Sequence, residues 1–239
     1  RDQGRDMEVL RRVVVEWVVL PCLWVIRRMV EIVLDMVTRR KMAEQLRYWE
    51  VEERRKPRGW PLEKLTERQR ALLRTPAVVL ASMLREGVVS SSELLSAHVL
   101  AIESVNPAIN AMVKARFAEA RAEAREADRA LSQARAEGTA IPAFTGVCIS
   151  VKEAFAVRGM PQTSGLLKRR GVVAQEDAYA VRKLREAGFV ILGVTNTSEL
   201  CMWYESGNPV YGTTANPYDL MSHVGGSSGG EGALIASAA

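Results

Sequence analysis

Between residues 8 and 37 the apolar positions are dense and barely periodic. Residues 13–15, 17–20 and 22–26 form a run broken only by Glu16 and Pro21, closed by Arg27 and Arg28, and residues 29–37 are partly apolar again. Residues 38–74 are charged and helix-prone, with a break at Arg54-Arg55-Lys56-Pro57-Arg58-Gly59. From Thr75 onward the spacing is that of a packed domain. Thr75 before Pro76 predicts a capped helix start, with Val79, Leu80, Met83 and Leu84 on one face and Gly87 as the stop. Ser90 and Glu93 predict a capping box opening a second helix, whose core stripe is Leu94, Leu95, His98, Ile102 and Val105. Asn106-Pro107 then reads as a turn and residues 109–113 as a short strand. Residues 115–137 predict a helix with a solvated charged face, ended by Gly138. A buried strand follows over 147–151 with Lys152 at its end, then a turn at 163–165, a helix over 178–187 stopped by Gly188, and a strand over 189–194. Strand, helix and strand in that order make an α/β pattern.

At 239 residues and 48% apolar composition the chain can bury a sizeable core, in one domain or two. Its net charge of +5 is unevenly placed. Residues 1–75 hold 18 Lys/Arg against 12 Asp/Glu and residues 76–239 hold 15 against 16, so the basic excess belongs to the N-terminal third. Basic charge beside an apolar run points to an anionic membrane surface, and no interleaved basic-aromatic pattern indicates nucleic acid. Acidic residues precede the apolar run and no small-residue cleavage site follows, which argues against a signal peptide. Trp17, Trp24 and the flanking arginines suit a membrane interface, with an ordinary packed amphipathic helix as the other reading. Three segments are therefore expected: 1–37 as a membrane-associating helix, 38–74 as a charged helical linker, and 75–239 as the folded domain. The chain opens on Arg1 and stops within an alanine-rich helix, so both ends read as cuts. Cys22, Cys148 and Cys201 form no CxxC or Cys/His ligand set, leaving reduced thiols rather than zinc or a disulfide framework.

Candidate chemistry centres on Gly225-Gly226-Ser227-Ser228-Gly229-Gly230, which leads into the apolar residues 233–236. Glycines on both sides allow close backbone approaches that a Cβ would forbid. A flexible linker does not fit a loop set between apolar segments, and neither G-x-x-x-x-G-K-[ST] nor G-x-G-x-x-G can be laid on it. Lys152, at the end of an apolar strand, is either partly buried, which would favour a neutral, proton-accepting amine, or reaches solvent.

Three more blocks accompany the loop: Gly146-Val147-Cys148-Ile149-Ser150-Val151-Lys152-Glu153, Thr195-Asn196-Thr197-Ser198-Glu199-Leu200 and Asn216-Pro217-Tyr218-Asp219-Leu220. Together, from about Thr75 to Ala239, they resemble the amidase signature family. The wording is most similar to the vertebrate membrane-bound fatty acid amide hydrolases of the second type, through Gly159-Met160-Pro161 and Cys201-Met202-Trp203-Tyr204-Glu205-Ser206 as well. The resemblance implies an α/β fold with a large mixed sheet wrapped by helices, incomplete at the C-terminus, with the apolar N-terminal helix added. It implies a Ser–cisSer–Lys hydrolase in which Lys152 is the general base and Ser227 the bridging serine, joined to Gly226 by a cis peptide bond. Ser228 is then a supporting hydrogen-bond partner. Cys201, Met202 and Trp203 match the acyl-binding stretch, with core packing as the alternative reading.

The family's nucleophile lies in a later Gly-x-x-Ile-Gly-Gly-Ser motif, which would fall past Ala239, so no nucleophile is assigned here and the chain alone is expected to be inactive. Metal and organic cofactors are not implied. Expected partners are a fatty acid amide substrate and membrane lipid, not nucleic acid; a homo-oligomer is compatible with this reading, and an intracellular, membrane-associated location is expected. The alternatives are a non-catalytic membrane-associated product and a subunit of the amidotransferase that works on aminoacyl-tRNA.

Overall fold

A computed structural model describes residues 65–237. The apolar segment 8–37, and with it the expected anchor, lies outside the described residues, as does most of the linker 38–74. Among the described residues no helix is long and apolar enough to cross a membrane.

The elements run α1 (Glu67–Leu73), α2 (Ala77–Glu86), α3 (Ser91–Ile109), β1 (Met112–Ala115), α4 (Phe117–Glu137), β2 (Cys148–Lys152), α5 (Tyr179–Glu186), β3 (Val190–Thr195), the short pair β4 (Gly207–Asn208) and β5 (Gly212–Thr213), and α6 (Gly229–Ala236). The main sheet has the order β1-β3-β2. β2 and β3 are parallel and joined through α5, whereas β1 is antiparallel to β3, so the sheet is mixed. All six residues of β3 are buried, as expected of a central strand covered on both faces. Val190 and Leu192 pack against α3 and α4 through Leu95, Ile102, Ala120 and Ala124. Ile191 and Val194 pack with Val151 and with Val181 of α5 on the other side. A register irregularity between β2 and β3 lies where the strand changes face. Gly193 sits at this point because a Cβ there would lie 2.9 Å from the Ala115 backbone.

Several expectations shift in detail. Thr75 does not cap α2: its hydroxyl donates back to the Ala71 carbonyl and Pro76 is the N-cap, without a side-chain bond. Val79 is exposed, because the buried stripe is Leu80, Ala81 and Leu84. Ser90 accepts from the Glu93 amide, but the Glu93 carboxylate closes no box, since Arg68 takes it. Asn106-Pro107 does not turn the chain. A proline in the last turn forfeits one hydrogen bond only, and α3 continues to a left-handed Asn110. The Asn106 side chain then accepts the amides of Ala111 and Met112, moving the strand start from 109 to Met112. Gly87 and Gly138 do end their helices in left-handed conformation.

Candidate active site

β2 delivers Lys152 to the end of the sheet, and α6 delivers the serine loop to the same place. The Lys152 Nζ donates to Ser227 Oγ at 2.7 Å and to Ser228 Oγ at 3.0 Å. The Gly226–Ser227 peptide bond is cis. Lys152 and Ser227 are half-buried and Ser228 is exposed, so the pair is open to an incoming molecule.

The glycines of the loop are required by what they touch. A Cβ on Gly226 would lie 2.9 Å from the Glu205 backbone, and one on Gly229 would lie 2.6 Å from Ser206 Oγ. The same Ser206 fastens the loop, its amide donating to the Gly225 carbonyl at 3.0 Å and its hydroxyl accepting from the Gly229 amide at 2.6 Å. Thr197 Oγ1 holds the Ser227 carbonyl at 3.0 Å and lies 3.4 Å from Cys201 Sγ. Asn208, buried beneath, donates to the Asn196 side chain and the Thr197 carbonyl.

Glu153, next to the lysine, is fully buried and satisfied by neutral donors: the Thr163 amide and hydroxyl, the Ser164 amide and the Tyr211 hydroxyl. Burial, and then the bond to Glu153, push the Tyr211 phenol up against the opposing effect of Thr163, so Tyr211 stays a donor. The Ser164 carbonyl accepts from the Leu200 amide, tying this turn to the segment that carries Cys201. On the inner side, Ser150 and Thr195 donate to the two oxygens of Glu231. Sequence reasoning assigned no role to Glu153, Thr197, Tyr211 or Glu231. Glu153 and Thr197 lie within the sequence blocks quoted above, and Glu231 stands four residues after Ser227, whereas Tyr211 carried no signal.

Cys201, Met202 and Trp203 are exposed among the described residues. Met202 is 81% and Trp203 46% exposed, and Cys201 is exposed too. Leu200 and Cys201 adopt left-handed backbone angles, φ 53° and 58°, and this tight turn directs the segment outward. Trp203 stacks on Tyr204 at 4.5 Å, and Ser198 Oγ donates to the Trp203 carbonyl. The two described cysteines differ accordingly. Cys148 packs against the core, and burial pushes its thiol up to about 12. Iodoacetamide at pH 8 is therefore expected to alkylate Cys201 well before the half-buried Cys148, as peptide mass spectrometry would read out. Equal labelling of both in the native chain would contradict the raised thiol of Cys148.

Chemically, an amine within hydrogen-bond reach of two hydroxyls can exchange a proton with either of them.

Known proteins are similar to this chain. The family described as Amidase matches residues 93–239. Fatty-acid amide hydrolase 2 of Homo sapiens is 46% identical over 170 residues, covering 70% of this chain and 32% of that protein. A glutamyl-tRNA(Gln) amidotransferase polypeptide of Acidothermus cellulolyticus is 39% identical over 171 residues, covering 69% and 32%. A solved structure of a fatty acid amide hydrolase superposes with a TM-score of 0.69 at 24% identity, covering 75% of this chain and 31% of that one, a likeness of fold alone. The chain spans about a third of the length of the curated relatives it matches.

Proposed function

The chain belongs to the amidase signature family, and from that premise we propose that its natural gene product is a serine amidase hydrolysing fatty acid amides at a membrane. The observation that carries the reading is the 2.7 Å hydrogen bond between Lys152 Nζ and Ser227 Oγ, 75 residues apart in sequence. Lys152 serves as general base and Ser227 as the bridging serine. The base withdraws the proton of an attacking hydroxyl through Ser227 and returns it to the amide nitrogen, which leaves only once protonated. Ser228 gives the amine a second acceptor and so orients it. Gly226 lets the loop lie flush on the 204–205 backbone. Cys201, Met202 and Trp203 offer an exposed apolar surface beside the relay, linked to it through Thr197. An acyl chain is the substrate part that such a surface favours.

The test is to offer oleamide to the purified natural gene product that contains these residues and follow oleate release by mass spectrometry. Hydrolysis is expected, together with sedimentation on membranes that is lost when residues 8–37 are removed. No hydrolysis of any long-chain primary amide would sink the substrate reading. Release of ammonia from glutamine only, with further subunits co-purifying, would favour the amidotransferase alternative that the 39% identical relative represents.

The polypeptide Arg1–Ala239 by itself is expected to show no hydrolysis above background. No serine here matches the family's nucleophile motif, Gly-x-x-Ile-Gly-Gly-Ser. Losing even one oxyanion donor costs about 10²–10³ in turnover in a serine hydrolase. Covalent labelling of this polypeptide by a fluorophosphonate, abolished by Ser227→Ala, would show that Ser227 is itself the nucleophile.

A further inference from the structure

Glu231 stands in the first turn of α6, four residues after Ser227, and both of its carboxylate oxygens are engaged. Ser150 Oγ donates to one oxygen at 2.5 Å and Thr195 Oγ1 to the other at 2.6 Å. The donors come from the two strands that form the floor of the site. Ser150 precedes Lys152 by two residues on β2, a spacing that puts alternate side chains on the same face of a strand. Thr195 is the last residue of β3 and the register partner of Lys152. An acid in the first turn of a helix ordinarily serves the exposed amides there. Here the carboxylate is directed away from those amides and across to the sheet, where both of these donors are neutral hydroxyls.

We propose that Glu231 is a positioning residue for the Lys152–Ser227 pair. Its carboxylate clamps the turn that carries Ser227 and Ser228 onto the strand ends that carry Lys152, and so sets the separation between Nζ and Oγ. Hydrogen bonds to an ionised acceptor are about twice as strong as neutral ones, and two of them from different strands fix α6 in both rotation and distance. Gly230 lets the helix come close enough for the reach, since its missing Cβ would lie 2.6 Å from the Asn196 carbonyl. The inference rests on the reading of Lys152 and Ser227 as a relay, but the clamp can be measured without turnover.

Trace acetylation of the 239-residue chain with acetic anhydride at one fixed pH, quantified lysine by lysine, provides that measurement. Lys114, Lys168 and Lys183 are exposed and serve as internal controls. In Glu231→Ala the labelling of Lys152 is expected to rise about two- to tenfold, the factor that releasing one net hydrogen bond represents, while the controls stay constant. Ser150→Ala should move Lys152 in the same direction by less, and should add nothing on top of Glu231→Ala. Glu231→Asp, which keeps the charge, should recover part of the protection. Unchanged Lys152 labelling in Glu231→Ala with constant controls would overturn the proposal. If that variant fails to fold, its circular-dichroism spectrum loses the wild-type shape and its melt is no longer cooperative, and Ser150→Ala then decides by the same criterion. Absence of amide hydrolysis from a gene product whose clamp responds as described would remove the amidase reading and leave the clamp standing.

Discussion

Replacing Lys152 by alanine is expected to lower amide hydrolysis by the natural gene product about 10²–10⁴-fold, the range that a positioned general acid–base contributes. The effect should fall on kcat, because the amine contacts Ser227 and Ser228 and not the exposed surface at Met202 and Trp203 where an acyl chain would lie. Lys152→Arg should be nearly as damaging. A guanidinium stays protonated throughout the working range, so it preserves charge but cannot accept a proton. Ser227→Ala should also fall mainly on kcat, since on the proposed mechanism it removes the hydroxyl that relays the proton. Steady-state kinetics on oleamide with the three variants would check this. A Lys152→Ala enzyme that keeps its activity within about tenfold of the wild type is outside the range for a general base and would remove Lys152 from the mechanism.

Gly230→Ala is expected to destabilise the fold by about 3 kcal/mol, the upper end of ordinary overpacking, which for a chain of this size lowers Tm by roughly 6–12 °C. The added Cβ would lie 2.6 Å from the Asn196 carbonyl oxygen and 2.9 Å from that of Ala111. Both are backbone atoms, and the Asn196 amide already donates to the Ala111 carbonyl, so neither can yield without opening the end of β3. Gly232, two residues on in the same helix, has nothing within 4 Å of its missing Cβ. Gly232→Ala should therefore stabilise by about 1 kcal/mol, the propensity difference in a helix interior. Circular-dichroism melts of the two variants should move in opposite directions. Coincident melting of Gly230→Ala and wild type would mean that α6 does not approach β3 this closely.

These glycines show what was legible in the chain and what was not. Six consecutive Gly and Ser residues between apolar segments already signalled close backbone approach, since no other composition tolerates it. The partner of that approach was not legible: Glu205, Ser206, Asn196 and Ala111 lie 20 to more than 100 residues away. Nor did the exposure of Cys201, Met202 and Trp203 follow from their apolar character, because a left-handed turn at Leu200 and Cys201 turns them outward whatever their hydropathy. Pro107 misled in the opposite direction. Its local rule says break, but the Asn106 side chain supplies the following amides with an acceptor and the helix carries on to Ile109.

The amino-acid sequence by itself determined the local elements. The apolar run over 189–194 marked a strand, Gly87 and Gly138 marked helix ends, and the strand–helix–strand order marked an α/β pattern. Those features depend on periodicity and backbone freedom, which act over a few residues. Only the tertiary structure decided that the Lys152 amine meets the Ser227 hydroxyl, that Glu231 turns to Ser150 and Thr195, and that Glu153 is buried among Thr163, Ser164 and Tyr211. Each of those meetings requires β2 to pair with β3 and α6 to dock on their ends, and side chains find such partners through long-range packing that no short window of sequence contains.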